Sequence, residues 1–163
     1  MHINIKNKNL FYKHYKVKCA IGKRGIKIKK KEGDNITPKG NFKIKLILYR
    51  KDRISKINSQ IKKIPIKKNM GWCDDPLSKK YNKLIKFPFK FKAEKLYKKN
   101  NTYDIILVLN FNINPVIKNK GSAIFLHVAK KNYESTAGCI AISKLNLKKM
   151  LKFINYKTIL TIS

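Results

Sequence analysis

Cys139 and His127 are the two residues of this chain whose types and surroundings point to nucleophilic chemistry. A cysteine paired with histidine gives a thiolate–imidazolium couple, a strong nucleophile at neutral pH that also offers a proton to a leaving amine. Cys139 lies in Ser135-Thr136-Ala137-Gly138-Cys139-Ile140-Ala141-Ile142, with small residues before it and a strand pattern after it. Gly138 lets a substrate approach the backbone and leaves N–H groups to face an oxyanion. His127 ends the apolar run Ala123-Ile124-Phe125-Leu126, so the imidazole meets the thiol if the two segments are neighbouring strands. A buried structural cysteine beside a core histidine accounts for the same two residues, and the pair alone does not decide between the readings.

The elements that must position this pair are mostly strands. Period-two alternation dominates the chain, beginning with Met1 to Lys6. Val17, Cys19 and Ile21 alternate with lysine and alanine, and Ile26 and Ile28 with lysine, so residues 15–30 are expected as a hairpin turning at Gly22 to Gly25. Phe42, Ile44, Leu46 and Leu48 mark the next strand, after a turn at Thr37-Pro38-Lys39-Gly40. Residues 51–102 hold most of the prolines and read as long loops with short elements. Ile105 to Leu109 is a continuous apolar run, the mark of a strand buried on both faces. Ala123 to Val128, Gly138 to Ile142 and Thr158 to Ile162 complete the strands. One helix is expected, capped by Ser143, with Leu147, Met150, Leu151 and Ile154 on its apolar stripe. The expected fold is a mostly-β single domain over residues 1–163 with one helix near the C-terminus.

A formal charge of +32 from 40 basic and 8 acidic residues raises nucleic acid or another anionic polymer as a partner. The makeup of the charge argues against a specific nucleic-acid site. Only Arg24, Arg50 and Arg53 are arginines, whereas bidentate recognition of phosphate or a guanine edge favours arginine. The lysines are spread along the chain, and Lys, Ile and Asn make up nearly half of it, as an AT-rich coding bias would give. Non-specific attraction to anionic polymers in low salt is the residual expectation. With 43% hydrophobic residues the chain is not a disordered polyelectrolyte. No apolar run approaches the roughly 18 residues of a membrane span, and the first residues lack the apolar core of a secretory leader.

Three cysteines cannot all pair within the chain. Cys19 and Cys73 could pair in an oxidising compartment and leave Cys139 free, but independent buried thiols are the expectation. Trp72-Cys73-Asp74-Asp75 is the second conspicuous segment, because adjacent carboxylates stand out in so basic a chain. One reading makes them a turn closed by Pro76; another makes them a binding site. Glu134 is expected as an exposed loop acid, His2 and His14 as solvated residues, and Asp52 as an ion-pair partner of Arg50 and Arg53.

The flanking residues carry a resemblance. Thr136-x-Gly138-Cys139-Ile140-x-Ile142, with His127 upstream in Gly121-Ser122-Ala123-Ile124-Phe125-Leu126-His127, resembles the L,D-transpeptidase catalytic domain, the YkuD-like family. Glu32-Gly33-Asp34 with Thr37-Pro38-x-Gly40-x-Phe42 is similar to its early motif. Tyr49-Arg50-x-Asp52-Arg53, Gly71 to Pro76 with Tyr81-Asn82, and Tyr103-Asp104 resemble a compact branch in which the catalytic domain stands alone. Two positions depart from the family pattern: Ala137 stands where many members carry a second histidine, and Ala141 where many carry arginine. Lys130, Lys131 or Arg50 are candidates to replace that charge.

The resemblance implies a β-sandwich or mixed-sheet fold and an acyl transfer on peptidoglycan stem peptides. Cys139 would attack the carbonyl between a diaminopimelate L-centre and the terminal D-Ala, forming a thioester that an amine acceptor resolves as a 3→3 cross-link. Water as acceptor would make an L,D-carboxypeptidase or peptide hydrolase. His127 would be the base, oriented by the Val128 carbonyl, with the N–H groups of Gly138 and Cys139 as oxyanion donors. Trp72, Asp74, Asp75, Arg50 and Thr136 are the candidate substrate contacts, the two aspartates as a clasp for an ammonium group. No metal or organic cofactor is implied. The implied location is the bacterial envelope or periplasm, with the cytoplasm as the alternative for a chain without a visible leader. A lysine-rich binding module with an idle Cys139 is the reading outside enzymology.

Overall fold

A computed structural model describes residues 1–163. Strand β1 (His2–Lys6) turns at Asn7 and Lys8, both at positive φ (48° and 59°), into β2 (Asn9–Tyr12), and β3 (Tyr15–Lys18) pairs back onto β2. The expected hairpin over residues 15–30 is therefore absent. β3 already has its partner, and the chain leaving it crosses to the far side of the fold. There Ala20 exchanges two backbone bonds with Ala141 (2.8 and 2.9 Å). The turn at Gly22 to Gly25 does form, closed by the Gly25 N–H on the Gly22 carbonyl. It leads into β4 (Ile26–Lys27), which runs parallel to β5 (Thr37–Pro38).

β6 (Gly40–Tyr49) is the long central strand. It pairs antiparallel with β11 (Ile105–Leu109), antiparallel with β14 (Ile159–Ile162) and parallel with β7 (Lys63–Pro65). Beyond β11 lie β12 (Phe125–Val128) and β13 (Ile140–Ile142), giving the order β13-β12-β11-β6-β14-β1-β2-β3. The segment after β3 reaches β13, so the two edges of the sheet are brought together. A second sheet, β10-β8-β9, is built from β8 (Met70–Cys73), β9 (Leu84–Lys86) and β10 (Ala93–Lys95). These are the short elements expected within residues 51–102.

Two apolar cores follow from the alternation. Ile105, Leu107 and Leu109 of β11, with Leu126 and Val128 of β12, face the larger core. That core also takes Leu147, Met150 and Leu151 of the one helix, α1 (Lys144–Leu151), capped by Ser143 as expected. Ile106, Val108 and Phe125 point the other way, against Trp72, Met70 and Tyr103. All five residues of β11 are buried, so the continuous apolar run is a strand covered on both faces. The fold is mostly β with mixed sheets and one helix near the C-terminus, and that helix is too short to cross a membrane.

Three distant segments meet where the second core ends. The buried Thr37 hydroxyl accepts from the Gly22 N–H (2.7 Å) and donates to the Gly138 carbonyl (2.8 Å). Gly138 has a φ of +138°, and a Cβ there would lie 2.8 Å from the Ile36 carbonyl oxygen. Glycine is thus required for both conformation and clearance. Residues 29–36 are held in turn by Asp34, whose carboxylate binds the buried Lys29 ammonium and the N–H groups of Lys30, Lys31 and Ile36. Burial alone would raise the Asp34 pKa; these donors outweigh it and bring it to about 2, from an ordinary 3.8.

Two outcomes are expected. Thr37→Val keeps the shape but leaves a buried N–H and a buried carbonyl unpaired, and should lower stability by about 1–3 kcal/mol in urea unfolding. The depressed Asp34 pKa stabilises the fold above the unfolded value of 3.8, and this contribution is lost as pH falls toward 2. The stability gap between wild type and Asp34→Asn should therefore narrow by about 2 kcal/mol on acidification from pH 5 to 2.

Candidate active site

β12 and β13 run parallel with Leu126 opposite Ile140 and His127 opposite Ala141. Continuing that register sets Phe125 beside Cys139, and the Phe125 N–H indeed lies 3.4 Å from Cys139 Sγ. Residues two apart on a strand share a face, so Phe125, His127 and Cys139 all point toward the second core. His127 is buried, its Nδ1 lies 2.9 Å from the Val128 carbonyl oxygen, and its ring stands edge-on to Tyr103 at 5.3 Å. Because a carbonyl only accepts, Nδ1 carries the proton and Nε2 is left as the basic atom. Cys139 is half-buried and opens into a cleft of about 120 Å³ lined by Lys29, Glu32, Trp72, Asp74, Glu94 and Ser122.

The loop before Cys139 is tightly bonded. Thr136 takes the Ile21 carbonyl with its N–H, and its hydroxyl donates to the Cys139 carbonyl. The same hydroxyl accepts the Gly138 N–H at 3.1 Å. This corrects the expectation that both Gly138 and Cys139 offer oxyanion donors: the Gly138 N–H is turned into its own loop. The Cys139 N–H has no partner within the chain. Thr136 likewise shapes the loop from within and does not line the cleft.

Burial opposes charge on both members of the pair. It pushes the Cys139 thiol up to about 12 and draws the His127 imidazole below its ordinary value. Burial therefore works against the thiolate–imidazolium couple expected from the residue types.

The remaining sequence candidates divide cleanly. Trp72 lines the cleft, with its Nε1–H on Asn82 Oδ1 (3.0 Å) and its ring edge-on to Phe125 at 5.5 Å. Asp74 and Asp75 part ways. Asp75 accepts the N–H groups of Leu77 and Lys92 and so closes a turn. Asp74 faces the cleft, its Oδ1 buried without a partner and its Oδ2 3.7 Å from the exposed Lys92. Desolvation raises the Asp74 pKa. Arg50 does not line the cleft. It is buried, forks onto Asp52 (2.8 and 2.6 Å), donates to the Lys98 carbonyl and stacks 3.5 Å over Tyr97. Arg53 turns instead to Asp104. Lys130 pairs with Glu134 on the surface, and neither it nor Lys131 lines the cleft. Cys19 and Cys73 are separate buried thiols.

Sequence reasoning missed Glu94 and Lys29 as cleft residues. Glu94 is the one acid between Asp75 and Asp104, and in so basic a chain each acid was worth following. Glu32, Asp74 and Glu94 are three of the eight acids, and all three converge on the Cys139 cleft.

A comparison with curated proteins gives no match. A comparison with family descriptions matches the L,D-transpeptidase catalytic domain, YkuD, over residues 1–162. The match spans essentially the whole chain, in agreement with the mostly-β architecture described above. The protein belongs to the L,D-transpeptidase catalytic-domain family, and its enzymology is to be sought there.

Proposed function

We propose that this protein is a cysteine acyltransferase acting on peptidoglycan stem peptides. The observation that carries the reading is the common face of His127 and Cys139, with His127 Nδ1 engaged by Val128 and Cys139 opening into a cleft. His127 Nε2 takes the thiol proton as Sγ attacks the stem carbonyl, forming the C–S bond. The oxyanion is met by the free Cys139 N–H. The imidazolium then gives its proton to the departing nitrogen of D-Ala as the C–N bond breaks. Burial that opposes charge on both groups suits this order, since charge develops only as the carbonyl is attacked. In the second half, an amine acceptor attacks the thioester carbonyl and loses a proton to His127, and Sγ leaves as the C–S bond breaks, taking that proton back.

Asp74 supplies selectivity. A carboxylate with a free, buried oxygen beside Glu94 and Glu32 is a receptor for an ammonium group, and a diaminopimelate side chain brings one to the reacting carbonyl. On this reading the +32 surface is a setting for anionic polymers, while the cleft is locally acidic. The activity belongs where stem peptides are, at the bacterial envelope.

The test is D-Ala release from a disaccharide tetrapeptide, followed by chromatography of the peptide products. Wild type should release D-Ala; Cys139→Ala should not, and His127→Ala should fall by at least about 100-fold. Asp74→Asn should raise the half-saturating donor concentration about tenfold with little change at saturation. N-acetylation of the donor side-chain amine should do the same to wild type. A 3→3 dimer among the products identifies an amine acceptor; a tripeptide alone identifies water. D-Ala release that survives Cys139→Ala would overturn the proposal.

A further inference from the structure

His127 lacks a carboxylate partner, because its Nδ1 is held by a main-chain carbonyl. A carbonyl fixes one atom of the ring and leaves rotation and tilt about that bond to be settled by packing. The packing comes from Tyr103. Its ring stands at 79° to the imidazole with centroids 5.3 Å apart, and at 87° to Phe125 at 6.0 Å. Thr102, the residue before it, accepts the Val128 N–H at 3.1 Å, tying this loop to the histidine strand.

Tyr103 is itself locked at its far end. Its hydroxyl donates to Glu94 Oε1 at 2.8 Å, and the same oxygen receives the Lys98 ammonium at 2.8 Å. That ammonium also lies 4.2 Å from the Tyr103 ring centroid. Glu94 at the same time lines the Cys139 cleft. A single carboxylate thus joins the cleft wall to the aromatic support of the base. Asp104, the residue after Tyr103, is committed elsewhere, to Arg53 and Lys144.

We propose that Tyr103, anchored by Glu94, is the positioning residue for His127, and that the Glu94–Lys98 pair sets the charge felt by the imidazole. The inference rests on the acyl-transfer reading for its catalytic consequence, but not for its physical one. Glu94 and Lys98 are the charged groups whose fields reach His127, with opposite signs, and Tyr103 is the titratable group whose ring packs against it. Glu94 favours the imidazolium and Lys98 opposes it.

Two measurements test this. In single-turnover thioester formation, Tyr103→Phe keeps the ring and loses the anchor, so the rate at saturating donor should fall about five-fold with half-saturation unchanged. Tyr103→Leu removes the ring as well and should cost about 100-fold, as a misplaced base does. The second measurement needs no substrate. In a Cys139→Ala background, NMR titration of the His127 ring should show a lower midpoint in Glu94→Gln and a higher one in Lys98→Met, and dispersed spectra verify folding. Glutamine keeps the acceptor for the Tyr103 hydroxyl, so its effect reads charge alone. A Tyr103→Leu protein that acylates at the wild-type rate would overturn the proposal, as would a His127 midpoint indifferent to both charge changes. A wild-type protein that forms no thioester would sink the acyl-transfer reading instead, and the titration would still decide this one.

Discussion

The Thr37 hydroxyl is the point on which the candidate active site depends. By accepting from Gly22 and donating to Gly138, it fastens three parts of the chain that are far apart in sequence, and it does so without solvent access. The short loop before Cys139 has no regular structure of its own, so its position is set by what it is bonded to. Thr136 bonds to Ile21, Gly138 to Thr37, and Ala141 to Ala20. The Asp34 carboxylate organises the strand approach that Gly138 packs against. Fixing this loop fixes where Sγ stands relative to the imidazole on the neighbouring strand. The rest of the sheet supplies rigidity to that one juxtaposition.

Electrostatics then separates the site from its surroundings. The surface carries a large excess of lysine, yet three of only eight acids converge on the cleft. Glu32 is held by the Tyr81 and Ser122 hydroxyls, and Glu94 by Tyr103 and Lys98, whereas Asp74 keeps an oxygen free. Two carboxylates are therefore architectural and one has spare capacity for a ligand. Burial opposes charge on both the thiol and the imidazole, whereas the carboxylates are the acidic groups that line the cleft. On the proposed reading, this division of labour favours a cationic substrate group over an anionic one.

Much of this was legible in the sequence, for physical reasons. β11 announced itself by an unbroken apolar run, α1 by its cap and stripe, and the Cys–His pair by its chemistry together with its strand-like flanks. What was not legible depends on distant partners. The hairpin expected at residues 15–30 failed because alternation specifies a strand but not its neighbour, and β3 found β2 across the tight turn at Asn7 and Lys8. Adjacent Asp74 and Asp75 look alike in sequence; only the fold shows that one closes a turn and the other faces the cleft. Arg50 read as spare positive charge, but the fork onto Asp52 and the face of Tyr97 consume it. Gly138 was noticed for its place before the nucleophile, and the fold asks more of it than that. Its value lies in a positive φ and in clearance from Ile36, while its N–H is spent on Thr136.

The most direct test of the central claim is the intact mass of the protein after brief mixing with a disaccharide tetrapeptide, followed by mapping of the modified peptide. The account predicts that wild type gains the mass of the donor less D-Ala, that the adduct lies on Cys139 and that hydroxylamine removes it. An adduct on another residue, or none in a folded protein with a free Cys139 thiol, would contradict it.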